Sequence, residues 1–255
     1  MDTSAKTKVS TKDFDDVIWQ ELYLFLFPPK SFQRARAEVA AILKKTGLKK
    51  GRVLDLACGP GRHSIPLAGN GFHVTGVDRS SFLLSQARNY ALRERVGVEL
   101  INEDMRLFSR PDQYDLALSM HSSFGYFEDP MDSRAVLKRV YGSLKRGGMF
   151  FIDLPGREVL FRNFRQTVRK KVSGFGNVTE YRILQAEGKR LELRWRFYKD
   201  GLLENYSFKL WLYSGPEIRN LLAETGFEDI SLFGNFSLSP YDQTAKQLIA
   251  FAVKK

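Results

Sequence analysis

The run VLDLACGPGRHS, from Val53 to Ser64, leaves this chain few ways to fold. Val53, Leu54 and Leu56 form an apolar, β-rich segment that ends in a turn with Gly59, Pro60 and Gly61, and the spacing predicts a helix starting near Arg62. Glycine at 59 and 61 permits positive φ and presents no Cβ, so backbone N–H groups can approach a ligand closely. The next strand-like run, HVTGVD, ends on Asp78. A right-handed βαβ unit lays that strand beside the first and brings Asp78 to the glycine turn, at the carboxyl edge where open α/β sheets bind ligands. A carboxylate there can accept both hydroxyls of a ribose, so the site suits a nucleoside.

Departures from the dinucleotide fingerprint G-x-G-x-x-G narrow the choice. Its third glycine is replaced by Ser64, so helix and strand need not pack as closely as a pyrophosphate turn requires. Asp55, at the end of the first strand, would repel a pyrophosphate but suits a ligand with a cationic amine and a sulfonium. This acid-bracketed turn, D-L-A-C-G-P-G-R with Asp78 beyond it, resembles motif I and its sequel in class I S-adenosylmethionine-dependent methyltransferases. The resemblance implies an α/β fold with a Rossmann-like seven-stranded sheet and helices on both faces. It also implies S-adenosylmethionine as cofactor and S-adenosylhomocysteine as product, bound among Asp55, Ala57, Gly59, Gly61, Arg62, Asp78 and Arg79.

The resemblance continues without a gap over residues 51 to 154. After the strand Val98 to Asn102, Asp104 and Met105 match the positions that accept from the adenine amino group and donate to a ring nitrogen. The strand Tyr114 to Met120 flows into HSSFGYFED, and Met120 joins the cofactor set. The turn L-K-R-G-G before Met149 to Leu154 resembles the usual entry to the fifth strand. Near the end, a helix, the sequence A-E-T-G-F and two strands resemble the usual finish, with the last strand inserted antiparallel between its neighbours.

Ahead of the motif the polar residues Met1 to Lys12 are expected to fray. Apolar residues at helical spacing then predict a helix capped by Asp13 and ended by Pro28 and Pro29, and a second from Ser31 to Lys45. In the family this segment folds over the cofactor, where Trp19 and Tyr23 could wall the transfer pocket, Tyr23 approaching the sulfonium; aromatics at this spacing also serve as plain core. Beyond Pro155, strands are expected at Asn177 to Ala186, Arg190 to Tyr198 and Glu204 to Tyr213, with turns at E-G-K and K-D-G. Alternation in LELRWRFY puts Leu191, Leu193, Trp195 and Phe197 on one face and Glu192, Arg194 and Arg196 on a wet one. Ser214 with Glu217 reads as a capping box. The expected organisation is an N-terminal helical cover at 1–48, a methyltransferase domain at 49–155 and 214–255, and at 156–213 an inserted antiparallel sheet that serves as a lid or pairs two subunits.

Composition sets the remaining bounds. The 255 residues, 43% hydrophobic and 27% charged, describe an ordinary soluble domain with a full core, and no apolar run suits a membrane. A single cysteine, Cys58, fits a reducing cytoplasm. The net charge of +11 has one dense cluster, Arg157, Arg162, Arg165, Arg169, Lys170 and Lys171, which reads either as a solvated surface or as a nucleic-acid footprint.

Methyl transfer is an in-line displacement in which positioning does most of the work, and a base is needed only for a protonated nucleophile. No catalytic dyad and no metal-ligand spacing stand out in the sequence, and no metal is expected. The loops D-M-R-L-F and S-M-H-S-S-F-G-Y-F resemble those of bacterial small-molecule enzymes related to the aminosugar N,N-dimethyltransferases, in which the position matching Tyr126 lies at the active site. His121 is a candidate base, against a structural role; Ser122 and Ser123 can satisfy loop backbone. The leading reading is methylation of N or O on a small-molecule acceptor. An RNA methyltransferase and a non-catalytic cofactor-binding scaffold are the alternatives.

Overall fold

The computed structural model describes residues 8–10, 16–121, 123–199 and 202–255. Asp13, Ser122 and the K-D-G turn therefore lie outside the described residues or, for the turn, largely so. Strands β2 (Arg52–Leu56), β3 (His73–Asp78), β4 (Glu99–Asn102), β5 (Tyr114–Ser119) and β6 (Leu144–Leu154) are parallel. The C-terminal strands β11 (Phe227–Phe233) and β12 (Leu248–Lys254) complete a seven-stranded sheet of order β11-β12-β6-β5-β2-β3-β4, with β12 antiparallel between β11 and β6.

Both faces of this sheet are covered, which is why its strands read as nearly continuous apolar runs. On one face α5 (Met131–Ser143) and α7 (Gly215–Thr225) bury Val136, Leu137, Val140, Ile218 and Leu222. On the other, α2 (Pro29–Thr46) and α3 (Ser64–Gly69) bury Val39, Ile42 and Leu67, while α4 (Ser81–Glu94) packs on α3 through Ala87 and Ile65. Helix α7 starts in the capping box of Ser214 and Glu217. Helix α3 begins at Ser64, two positions later than the glycine turn suggests, because residues 60–63 are held in turns.

Two corrections concern packing. Ser64 does not keep α3 away from the strand: a Cβ on Gly76 of β3 would lie 3.3 Å from Ser64 Oγ and 3.0 Å from Cys58 Sγ, so Gly76 supplies the close approach. The L-K-R-G-G segment belongs to β6 itself as an irregularity, since Tyr114 pairs with Leu144 but Leu116 with Met149.

The second sheet has the order β1-β10-β9-β8-β7. Strands β7 (Thr167–Val172), β8 (Gly176–Gln185), β9 (Arg190–Lys199) and β10 (Leu202–Trp211) follow the short helix α6 (Arg157–Arg162) and form an antiparallel meander. Two of its strands were not expected. Part of the basic cluster, Arg169 to Lys171, is the edge strand β7. The segment expected to fray contributes β1 (Lys8–Ser10), parallel to Glu204–Tyr206. The apolar face of this sheet, with Val178, Trp195, Phe197 and Tyr206, closes on Ile18 and Leu22 of α1 (Asp16–Leu26). Among the described residues no helix is long and apolar enough to cross a membrane.

Candidate active site

The carboxyl edge of the large sheet, helix α1 and the second sheet enclose a cavity of about 1660 Å³. At its floor the chain turns sharply after β2: Ala57, Gly59 and Gly61 have φ of 54°, 56° and 77°. Asp78 at the end of β3 fixes this turn, one carboxylate oxygen accepting from Gly59 N at 2.8 Å and the other from Ser80 N at 2.9 Å. Burial raises its pKa above the ordinary carboxylate value. Each oxygen keeps one lone-pair site, and Asp78 lines the cavity, so two vicinal hydroxyls can be accepted there. A Cβ on Gly59 would meet only the Phe27 ring, at 3.8 Å, so this glycine is required by its backbone angle, whereas a Cβ on Gly61 would strike Ile65 Cδ1 at 2.0 Å.

Of the residues expected around the cofactor, Ala57, Gly59, Arg62, Asp78, Arg79, Asp104, Met105 and Met120 line this cavity. Asp104 binds Arg106 in a fork, Nε to Oδ1 at 3.0 Å and Nη2 to Oδ2 at 2.7 Å, and also accepts from Arg106 N, which leaves an acceptor site on Oδ2 for an exocyclic amine. The Arg62 guanidinium lies 5.1 Å from the Phe27 ring centre, and burial draws its pKa down to about 10, so it remains a cation.

Three expected residues are placed differently. Asp55 is 1% exposed beneath the turn, accepts the Ser64 hydroxyl at 2.5 Å and does not line the cavity; burial raises its pKa, so it props the turn instead of facing a sulfonium. Gly61 packs against α3 and α4. Tyr23 stacks behind Phe27, with ring centres 5.5 Å apart, and edge-on against Phe82, so the aromatic wall is made by Trp19 and Phe27.

The loop after β5 supplies His121 and Tyr126. Tyr126 is 36% exposed, yet that surface opens into the enclosed cavity; removal from bulk water pushes its phenol well above the usual range, and its ring pairs with Phe208 at 5.5 Å. It therefore stays a neutral hydrogen-bond donor. His121 has φ of 57°, and its Nε2 lies 3.1 Å from Glu38 Oε2. Burial draws its pKa down to about 4, leaving a neutral imidazole at pH 7. The nitrogen facing Glu38 carries the proton, so Nδ1 is the basic atom, with Arg34 Nη2 at 3.4 Å.

Glu38 was not singled out in the sequence, although a carboxylate between Ala35, Val39 and Ile42 on the inward face of a helix is a signal in itself. It is 4% exposed and also meets His63 Nε2 at 2.8 Å. Burial opposes its charge, but the two imidazoles hold its pKa well below the usual range. Two of the three histidines thus come together where the sequence shows no metal-ligand spacing: donor atoms of Glu38, His63 and His121 lie within 4.8 Å of one another, a set that could hold a metal ion. Arg34 is already paired with the same carboxylate at 3.2 Å, and Arg62 opposes positive charge at His121.

Comparison with known proteins agrees with this geometry. Residues 53–148 match the family described as "Methyltransferase domain". The chain is 27% identical over 224 residues, 84% of its length and 78% of the relative's, to a glycine/sarcosine N-methyltransferase of Aphanothece halophytica. It is 29% identical over 124 residues, 49% of its length and 47% of the relative's, to a dTDP-3-amino-3,6-dideoxy-alpha-D-glucopyranose N,N-dimethyltransferase of Streptomyces fradiae. The solved structure of the sugar N-methyltransferase KedS8 from Streptoalloteichus sp ATCC 53650 shares the fold, with a TM-score of 0.71 at 18% identity over 100% of this chain and 99% of that one. With a turn locked by Asp78, a cavity large enough for cofactor and acceptor, and these similarities, the chain is an S-adenosylmethionine-dependent methyltransferase whose residues 53–148 match the methyltransferase domain.

Proposed function

We propose that this enzyme methylates an amine nitrogen of a small molecule, without a metal ion. The observation that carries the reading is that one cavity joins the Asp78-locked turn to the loop bearing a neutral imidazole, His121, and a neutral phenol, Tyr126. An amine is mostly protonated at neutral pH and must lose a proton before it attacks; His121, neutral at pH 7, adds no positive charge to oppose that loss, and the Tyr126 hydroxyl can orient the nitrogen. The relatives named above act on amines, which favours N over O. Bound S-adenosylmethionine would supply the methyl group on a sulfonium, its ribose on Asp78, its adenine beside Asp104 and Met105, and its carboxylate toward Arg62. The charge of Glu38 is already shared among two imidazoles and Arg34, which argues against a cation there.

Titration calorimetry with S-adenosylmethionine and S-adenosylhomocysteine, followed by a screen of amines, aminosugars and phenols for S-adenosylhomocysteine release, tests this reading. Micromolar binding of both is expected, with turnover on amines. Asp78→Ala should weaken cofactor binding by about 1.5–3 kcal/mol, roughly tenfold or more, through loss of charge-assisted bonds. Unchanged affinity would remove Asp78 from the site, and turnover confined to phenols would replace N by O.

A further inference from the structure

We propose that Trp211, at the end of β10, is a positioning residue for methyl transfer: it grips the loop after β5 on both sides of Tyr126 and so makes the second sheet part of the site. This rests on the function proposed above and adds to it the element that aims the phenol.

Residues 123–130 run between β5 and α5 in turns and bends, without helix or strand, so the loop's own structure does not fix the direction of Tyr126. The hold comes from outside it. Trp211 N donates to Gly125 O at 2.8 Å, and the indole Nε1 of the same residue donates to Phe127 O at 3.0 Å. One residue thus restrains the carbonyls on either side of Tyr126. The Tyr126 ring in turn lies 5.5 Å from that of Phe208, also on β10. Main chain and ring are both referred to the same strand.

The approach is built into the sequence. Gly125 has φ of 112°, and a Cβ there would lie 2.7 Å from Trp211 O, so glycine is required by both angle and space. Trp211 is itself seated. It stands opposite Arg190 in the register of β9 and β10, with that guanidinium 5.2 Å from the indole ring centre. Arg190 Nη2 also donates to Glu128 Oε2 at 2.7 Å, a second tie from this sheet to the loop. On the far side Phe124 and Phe127 are buried with Val136 and Leu137 of α5.

Groups that orient a reacting atom must be held within about 0.5 Å, which a loop of turns achieves only when its flanks are tied down. The same hold keeps the phenol out of bulk water, where its ionisation is suppressed. Ionisation of residue 126 therefore reports whether the brace is in place.

The test puts 3-fluorotyrosine at position 126 of the full chain and titrates its phenol by fluorine NMR. In the parent it should stay protonated well past the midpoint of free 3-fluorotyrosine. Trp211→Phe keeps a ring but deletes the indole N–H, and Gly125→Ala drives a methyl group onto Trp211 O. Each should move the midpoint toward the free value by about one pH unit or more, with S-adenosylhomocysteine affinity unchanged in calorimetry. Val178→Ala, in the core between the second sheet and α1, should lower thermal melting and leave the titration as in the parent. A parent midpoint equal to the free value, a midpoint moved by neither loop variant, or one moved as far by Val178→Ala overturns the proposal. Absence of S-adenosylhomocysteine binding by the parent would count instead against the methyl-transfer reading, because the titration reads the loop without cofactor or acceptor.

Discussion

Asp153, at the end of β6, sits beside His121 of the loop after β5, 6% exposed, accepting from Gln247 Nε2 at 3.0 Å. Burial, reinforced by the charge of Glu38, pushes its pKa up to about 7. A carboxyl whose native pKa exceeds its unfolded value contributes stability that is full below the unfolded pKa and is lost as pH rises through the native one. For Asp153 that window runs from about pH 4 to about pH 7. His121 works in the opposite sense: with its native pKa drawn down to about 4, its contribution is present above its unfolded value of 6.5 and is lost as pH falls. Asp153→Asn separates the two, because the amide cannot ionise and the histidine is common to both proteins. Relative to the parent, the variant should gain about 2–3 kcal/mol between pH 5 and pH 8, measured by urea unfolding at each pH. A pH-independent difference would show that Asp153 is ionised throughout.

Helix α1 is the element that joins the two sheets. Ile18 and Leu22 are buried against Trp195, Phe197 and Tyr206 of the second sheet, while Asp16 accepts the hydroxyls of Ser80, at 2.5 Å, and Ser81 at the start of α4. Leu22→Ala should cost about 2–5 kcal/mol in urea unfolding and also weaken S-adenosylhomocysteine binding, since the same helix carries Trp19 on the cavity wall. Loss of stability with cofactor affinity intact would mean that the second sheet and α1 move independently of the site. The contrast between α1 and the glycine turn shows what a sequence discloses. The strand, turn and helix around Gly59, the Ser214 capping box and the place of Asp78 beside the turn are read from local periodicity and turn chemistry, whereas the inserted last strand and the cavity position of Asp104 follow from the resemblance to the family. Strand β7 was not legible because T-V-R-K-K-V lacks alternation, and β1 because three residues have no periodicity to read. Tyr23 and Phe27 are one helical turn apart, so spacing alone could not say which ring reaches the cavity. The meeting of His63, His121 and Glu38 depends on three separate elements packing together, and no local pattern encodes it.

For the whole molecule, the charge of +11 must be located before it is given a partner. The cavity is nearly balanced, lined by eight basic and seven acidic side chains, so the excess lies on the outer surface. Within the dense cluster, Arg157 pairs with Glu217 at 2.9 Å, Lys170 with Glu180 at 3.3 Å, and Arg162 donates to Ala245 O at 2.9 Å. The exposed remainder is Arg165, Arg169 and Lys171, and the last two lie on β7, the edge of the second sheet. Basic side chains on an edge strand discourage further strands from adding to it, which accounts for their placement without any nucleic acid. Three phosphate contacts would give a logarithmic salt slope of about −2 for single-stranded RNA, whereas engagement of all six residues would give about −4. We expect the shallow slope, and we expect Arg165→Gln/Arg169→Gln/Lys171→Gln to leave methyl transfer to a small amine unchanged. A slope near −4, together with methyl incorporation into the RNA, would move the acceptor from small molecules to nucleic acid.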